Sequence, residues 1–447
     1  MNLIDYAVIA LYLLLSLALG CRVGHKQKNT EDYFLSGRRM KWWPIAIALF
    51  ASLFSSISYI AMPGEAYNYG CTMLLLGLTG VIALPVMLFV FLKFFYNMKL
   101  WTVNEYLENR FSTTVRVICG GLFLAARCFY LGVVLYATAM LLANSFGISP
   151  WAGILVVGIV STVYTYFGGM EAVIWTDVVQ TFILLGGGLL CLGLMVWNLP
   201  GGFGQVIEIG TEFNKFSLGP MRGGFNERTF FAVLLLGLVN FTNEYASNQN
   251  VVQRYIASKS LREARKATLI CMFMSVPTWM SFFFLGSCMF AFYHVFPEPA
   301  VTAMAADEVL PHFILTRTPP FVGGTIIAAC LAAAMSSQSS SINAISTICT
   351  VDFVKRFGRV RSDREHLVIA KLIAGAASVL MIGGAILICY IPKESMNDFG
   401  LIIGSLFGGG ILSIFLLGFF STRVGNRAII AGTAVALCCL LYTSDAA

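Results

Sequence analysis

The run "LAAAMSSQSSS" at residues 331–341 places five serines among alanines inside a long apolar segment. On a helix, Ala333, Ser336, Ser337 and Ser340 fall at i, i+3, i+4 and i+7, so three hydroxyls and one small residue share a face, and Ser339 joins its edge. Two roles fit serines there. They can let helices approach closely, with each hydroxyl bonded back to the preceding turn. They can also gather oxygens around a hard ion such as sodium, which prefers hydroxyl and carbonyl ligands. So dense a run favours the cation.

A cation in a membrane is better held near a balancing carboxylate. Asp177, in "AVIWTDVVQT", lies well inside an apolar segment, where stranding an acid costs about 2.5 to 3.5 kcal/mol on insertion scales. It is a site candidate, the alternative being a structural hydrogen bond to a neighbouring helix. Glu244 lies nearer the end of its segment, where it either lines a pathway or reaches interfacial water. Arg127, in "LAARCFYLG", either snorkels to the interface or meets a solute.

The elements that must carry these residues follow from composition. The chain has 447 residues, is 58% hydrophobic and 11% charged, and has a mean hydropathy of +0.80. That is the composition of an integral membrane protein. Apolar runs able to cross a hydrocarbon core of about 30 Å recur near 4–21, 42–62, 71–92, 117–143, 150–167, 172–198, 229–251, 267–293, 321–350, 367–391, 399–421 and 426–442, giving about twelve transmembrane helices. The first lacks a basic leader and is followed by further spans, so it reads as a helix rather than a cleaved signal.

The net charge of +7 sets topology rather than marking a nucleic-acid partner. Counted by loops, 23 of the 29 Lys and Arg fall on one side and five on the other, with Arg127 alone inside a span. The basic loops are therefore expected in the cytoplasm and the N-terminus outside the cell. Twelve cysteines lie scattered without a CxxC pair, and the four histidines are far apart, so no metal cluster or histidine-based catalysis is expected and the chain does not read as an enzyme.

The chain reads as one membrane domain: an extra helix over 1–24, repeats over 40–200 and 228–422, and a partial helix over 426–447. Spans two to six and seven to eleven form an inverted repeat of five plus five helices. Each half begins with a segment polar in its middle, "ASLFSSISY" at 51–59 and "NFTNEYASNQ" at 240–249, as expected of helices broken around a midplane site. External loops are expected at about 199–228 and 294–320, the first carrying short helices. The ending "TSDAA", without a basic anchor, reads as truncated.

Four stretches together resemble the sodium/solute symporter family, which includes sodium/glucose, sodium/proline and sodium/sialic acid cotransporters. They are "DYFLSGRRMKWWPIAIALFASLFSS" at 32–56, "YTYFGGMEAVIWTDVVQTFI" at 164–183, "NQNVVQRYIASKSLREARKA" at 248–267 and "LAAAMSSQSSSINAISTICTVDF" at 331–353. The resemblance implies a sodium site made by carbonyls of Ala51, Phe54 and Ala333 with the hydroxyls of Ser336 and Ser337. It implies a further sodium site, of the kind in sialic acid symporters, at Asp177, Ser336, Ser339 and Ser340. Its solute contacts carry over to Leu53, Ser55, Ser58, Met73 and Tyr130, with Arg127, Asn243 and Glu244 as further candidates. Tyr130 stands where the sialic acid relative has the arginine that holds the solute's carboxylate, with Arg127 one turn earlier.

The resemblance implies a sodium-coupled symporter of the inner membrane, importing a carboxylate-bearing solute, sialic acid or monocarboxylate-like, by alternating access. Its partners are the solute and the bilayer, with no protein partner implied. The alternatives are a sodium/sugar symporter, a proton-coupled symporter titrating Asp177, and a membrane sensor module.

Overall fold

The computed structural model describes residues 2–24, 27–225, 227–359, 362–390 and 410–444. Among the described residues the protein is helical, with one isolated bridge between Met40 and Ser258 in place of any sheet. The spans of the first half are α1 (Leu3–Gly24), the pair α2 (Trp42–Leu53) and α3 (Ser56–Tyr69), α4 (Leu74–Val86), α5 (Thr113–Phe146) and α6 (Pro150–Asn198). The second half has the pair α7 (Phe230–Ala246) and α8 (Gln249–Ile256), then α9 (Leu261–Val295), α10 (Val322–Ile348), α11 (Asp363–Ile388) and α12 (Asn426–Ser444). Among the described residues, seven helices are long and apolar enough to cross a membrane, or up to nine spans when each bent pair counts as one. Residues 391–409, which include the first half of the eleventh expected span, and His25 lie outside the described residues. A helix over Gly410–Phe420 continues that span.

Two expected spans, 150–167 and 172–198, form the single 49-residue element α6. At about 1.5 Å per residue it is more than twice the length of one crossing. Gly169 divides it, with φ 52° and ψ −156°. The left-handed φ suits glycine, and a Cβ there would lie 2.7 Å from the Tyr33 ring.

Both polar-centred segments break, by the same chemistry. α2 stops at Leu53, Phe54 is extended (φ −117°, ψ 110°), and α3 restarts from Ser55 at a bend of 58°. Ser55 and Ser58 form a reciprocal capping box, each hydroxyl accepting the other's backbone N–H, which stabilises a helix start in place of continuation. α7 and α8 meet at 51°. There the Ser247 hydroxyl donates to the carbonyl of Asn243 (2.9 Å) and to its side-chain oxygen (2.6 Å), while Asn248 caps α8 by accepting the N–H of Asn250 at 3.0 Å. Short polar side chains thus compete with the helical ladder.

Lipid-facing and core helices separate by exposure. Phe182, Leu189, Phe273, Leu372 and Val379 are exposed apolar side chains, which in a bilayer meet acyl chains. The apolar window of α10 and its continuation to Phe357 is 89% buried, against 28 to 44% for the other long spans, so this serine-bearing helix is the central pillar. The stretches 199–228 and 294–320 carry helices at Gly202–Glu212 and also at Ala306–Arg317.

Two arginines counted as loop charges lie instead in the interior. Arg116 is 7% exposed, pairing with Glu108 at 2.6 Å and with Asp352 at 2.6 Å. Arg254 is fully buried and pairs with Asp177 at 2.9 Å. Partnered carboxylates draw both out of water, so neither reports loop topology. Six cysteines are buried, as expected of small hydrophobes, whereas Cys438 and Cys439 on α12 are exposed.

Candidate functional site

The break between α2 and α3 lies against α10. In an unbroken helix the carbonyl of Ala51 would accept the N–H of Ser55, but that N–H is turned toward the Ser58 hydroxyl at 3.4 Å. The Ala51 carbonyl instead accepts the hydroxyl of Ser336 at 3.2 Å, and the same hydroxyl reaches the carbonyl of Ala333 at 2.9 Å. Two carbonyls and a hydroxyl from two helices therefore converge at the C-terminal end of α2, where the helix dipole presents partial negative charge. Phe54 is 1% exposed, its ring stacked on Phe50 and tilted against Phe282, which anchors the extended residue whose carbonyl sits at the break. Ser337, one residue beyond Ser336, is 6% exposed on the same helix. Uncharged oxygens grouped in this way suit a monovalent hard cation.

A second group is tied to the backbone of Ser336. The hydroxyls of Ser339 (3.1 Å) and Ser340 both donate to the Ser336 carbonyl. Arg254 donates to Ser340 and, at 2.9 Å, to Asp177 Oδ2, and its other terminal nitrogen reaches the carbonyl of Asn250 at 2.9 Å. Asp177 is fully buried, and its Oδ1 has no hydrogen-bond partner among the described residues. A buried carboxylate oxygen without a donor is costly unless a cation or water meets it. Tyr164 closes the group from α6, its hydroxyl donating to the carbonyl of Met335 at 3.0 Å.

Several expected solute contacts come together beside the breaks. Ser55 and Ser58 form the cap of α3, and the Tyr130 side chain faces Ser55 from α5. The Arg127 guanidinium lies 5.6 Å from the Phe123 ring centre and 5.7 Å from that of Tyr130, and Glu244 lies within its electrostatic reach. Glu244 accepts from Asn248 at the second break. Leu53 ends α2, partly exposed. Asn243 is engaged by Ser247, so it holds the second break in shape. Met73 packs against the cluster of Ala66, Cys71, Leu74 and Phe283, together with Phe216 and Leu218.

The sequence reading missed Arg254. Its signal was an arginine in "NVVQRYIA", surrounded by apolar residues, which calls for a buried acid, and Asp177 supplies one. Proximity to Lys259 and Arg262 disguised it as a loop charge.

The sodium:solute symporter family profile matches residues 33–435. The chain belongs to this family. It is a sodium-coupled transporter and not an enzyme. Among similar proteins, the sodium/sialic acid symporter of Proteus mirabilis is 32% identical over 99% of this chain and 90% of its own length. The human sodium/iodide cotransporter is 32% identical over 98% of this chain and 69% of its own. A solved structure of a sodium-coupled sialic acid symporter, substrate-bound and outward-open, superposes with a TM-score of 0.91 at 30% identity, covering 98% of this symporter and 91% of that chain. A nucleobase-cation-symport-1 family transporter, Mhp1, at 14% identity and a TM-score of 0.56, shares the fold.

Proposed function

We propose that this symporter imports a carboxylate-bearing solute of the sialic acid type, driven by sodium through the junction of Ala51, Ala333 and Ser336. The observation that carries the reading is the Ser336 hydroxyl at 3.2 Å from the Ala51 carbonyl, which joins the broken helix to the central pillar through oxygens alone. Sodium at that junction takes the Ala51, Phe54 and Ala333 carbonyls with the Ser336 and Ser337 hydroxyls, and holds α2 and α3 against α10. Sodium enters from outside, where it favours the outward-facing form with the solute pocket complete. The solute then favours occlusion, and the halves, related as inverted repeats, rock to release both into a sodium-poor cytoplasm. Coupling is the difference in affinity of the two states for ion and solute.

A second sodium ion meets the open Oδ1 of Asp177 with the Ser339 and Ser340 hydroxyls, while Arg254 fixes the other carboxylate oxygen. A solute carboxylate is taken by Arg127 on α5, which among the described residues has no carboxylate within ion-pair distance. Ser55, Tyr130 and Glu244 line the same place. The protein sits in the inner membrane with its N-terminus outside. A monocarboxylate is the second reading, favoured by the human sodium-coupled monocarboxylate transporter 1, 29% identical over 97% of this chain.

The test is uptake of labelled N-acetylneuraminate into proteoliposomes under an imposed sodium gradient, with potassium as control. Accumulation in sodium alone supports both ion and solute. No uptake, from a protein whose melting temperature still rises with sodium, discards the sialic acid solute and moves the test to labelled monocarboxylates.

A further inference from the structure

The extra helix α1 grips the central pillar at two levels. At the outer level Asp5, 4% exposed, accepts the backbone N–H of Phe321 at 2.9 Å and of Gly324 at 2.8 Å through one carboxylate oxygen. The first N–H groups of any helix lack intrahelical partners. In α10 the N–H of Gly323 turns back to the carbonyl of Pro319 at 3.3 Å, while that of Gly324 is met by a residue more than three hundred positions earlier, because Phe321, the residue at the cap position, offers no side-chain acceptor. The approach is close: a Cβ on Gly324 would lie 2.6 Å from the Asp5 Cα.

Two turns further along α1, Tyr12 donates its hydroxyl to the Met335 sulfur at 3.4 Å. Met335 immediately precedes Ser336, and its carbonyl is the one that Tyr164 engages. Tyr164 in turn packs on α1, where a Cβ on Gly20 would lie 2.4 Å from its own. Contacts at both ends of one stretch of α10 define its height against α1. The span between them ends at the serine that must meet Ala51.

We propose that Asp5 is a positioning residue for sodium coupling: by capping α10 from α1, it sets the register at which Ser336 faces the Ala51 carbonyl. This rests on the reading that sodium binds at that junction. A charged cap gives a fixed anchor because one carboxylate oxygen holds the amide of the cap residue and an amide of the first turn. Without it the first turn of α10 is free to slide or fray, and a misplacement of a fraction of an ångström at Ser336 weakens a cation site whose ligands come from two helices.

The experiment is sodium-dependent uptake by the full chain in proteoliposomes, comparing the wild type with Asp5→Ala and Asp5→Asn. Half-saturation is measured for sodium at saturating solute, and for solute at saturating sodium. The expected result is a sodium half-saturation raised about tenfold in Asp5→Ala, with the solute half-saturation and the maximal rate unchanged. Asp5→Asn, which keeps an acceptor oxygen at the cap, is expected to shift it by about threefold, and it decides the matter should the alanine variant not assemble. A lowered melting temperature with an unchanged sodium half-saturation would make Asp5 a structural cap only and overturn the proposal. A wild type that transports the solute without sodium would instead remove the junction reading, and this inference with it.

Discussion

Ala51 touches Ser336 directly, Asp177 is linked to it through Arg254 and Ser340, and the two offer a cation opposite kinds of oxygen. On the Ala51 side the ligands are backbone carbonyls released by a helix break and a hydroxyl, with no formal charge. On the Asp177 side the ligand is a carboxyl group, and a fully buried guanidinium already holds one of its oxygens. The first group exists only while α2, α3 and α10 are juxtaposed, so an ion bound there would report on conformation directly. The second spans α6, α8 and α10, and its carboxylate keeps a partner whether or not an ion is present. A charge-neutral junction is suited to opening and closing, whereas a paired charge is suited to holding helices together with one oxygen left over for a cation.

The largest expected effect separates these roles. Asp177→Asn strands Arg254 in the interior, and breaking a buried pair on one side costs about 3 to 5 kcal/mol. The variant is expected to melt well below the wild type. Asp177→Asn combined with Arg254→Gln should recover most of that loss while the sodium Hill coefficient falls toward one. A single variant as stable as the wild type would show that the pair is not what holds α6 to α8.

A smaller effect isolates the second ion. Ser339→Ala with Ser340→Ala leaves both Ala51 and the ion pair in place, so uptake should persist with a Hill coefficient reduced from near two to near one. A wild type already at one, unchanged in the double variant, would remove the second sodium ion from the account. The smallest effect tests the break itself. Ser55→Ala deletes half of the capping box, worth about 1 kcal/mol at a helix start, and should lower the melting temperature by a few degrees while sodium still stabilises the protein. A melting temperature equal to that of the wild type would mean that packing of Phe54 alone enforces the bend.

The legible and illegible parts of the molecule follow the same division. The break at Ser55 could be read from the sequence because its cause is local: a serine three residues before another, in an apolar run, stabilises a helix start. The face of Ala333, Ser336 and Ser337 followed from helical period. Arg254 did not, since its environment is set by α6 and α10, each far away in the chain, while its sequence neighbours are the basic residues of a loop. Arg116 was hidden in the same way by Lys99 and Arg110. The cap that Asp5 provides for α10 crosses the whole chain and leaves no trace in the composition of either helix. Met73 was carried over by motif position, and tertiary packing sets it in an apolar cluster with Phe216 and Leu218.

The central claim is that sodium acts through the Ser336 hydroxyl at the helix break. Solute uptake as a function of external sodium, measured for the wild type and Ser336→Ala in parallel proteoliposomes, tests it most directly. Losing a ligand of this kind costs about 1 to 3 kcal/mol, so the account predicts a sodium half-saturation raised by roughly fivefold to a hundredfold, with reduced uptake at sodium concentrations that saturate the wild type. A Ser336→Ala protein with the wild-type sodium dependence would contradict it.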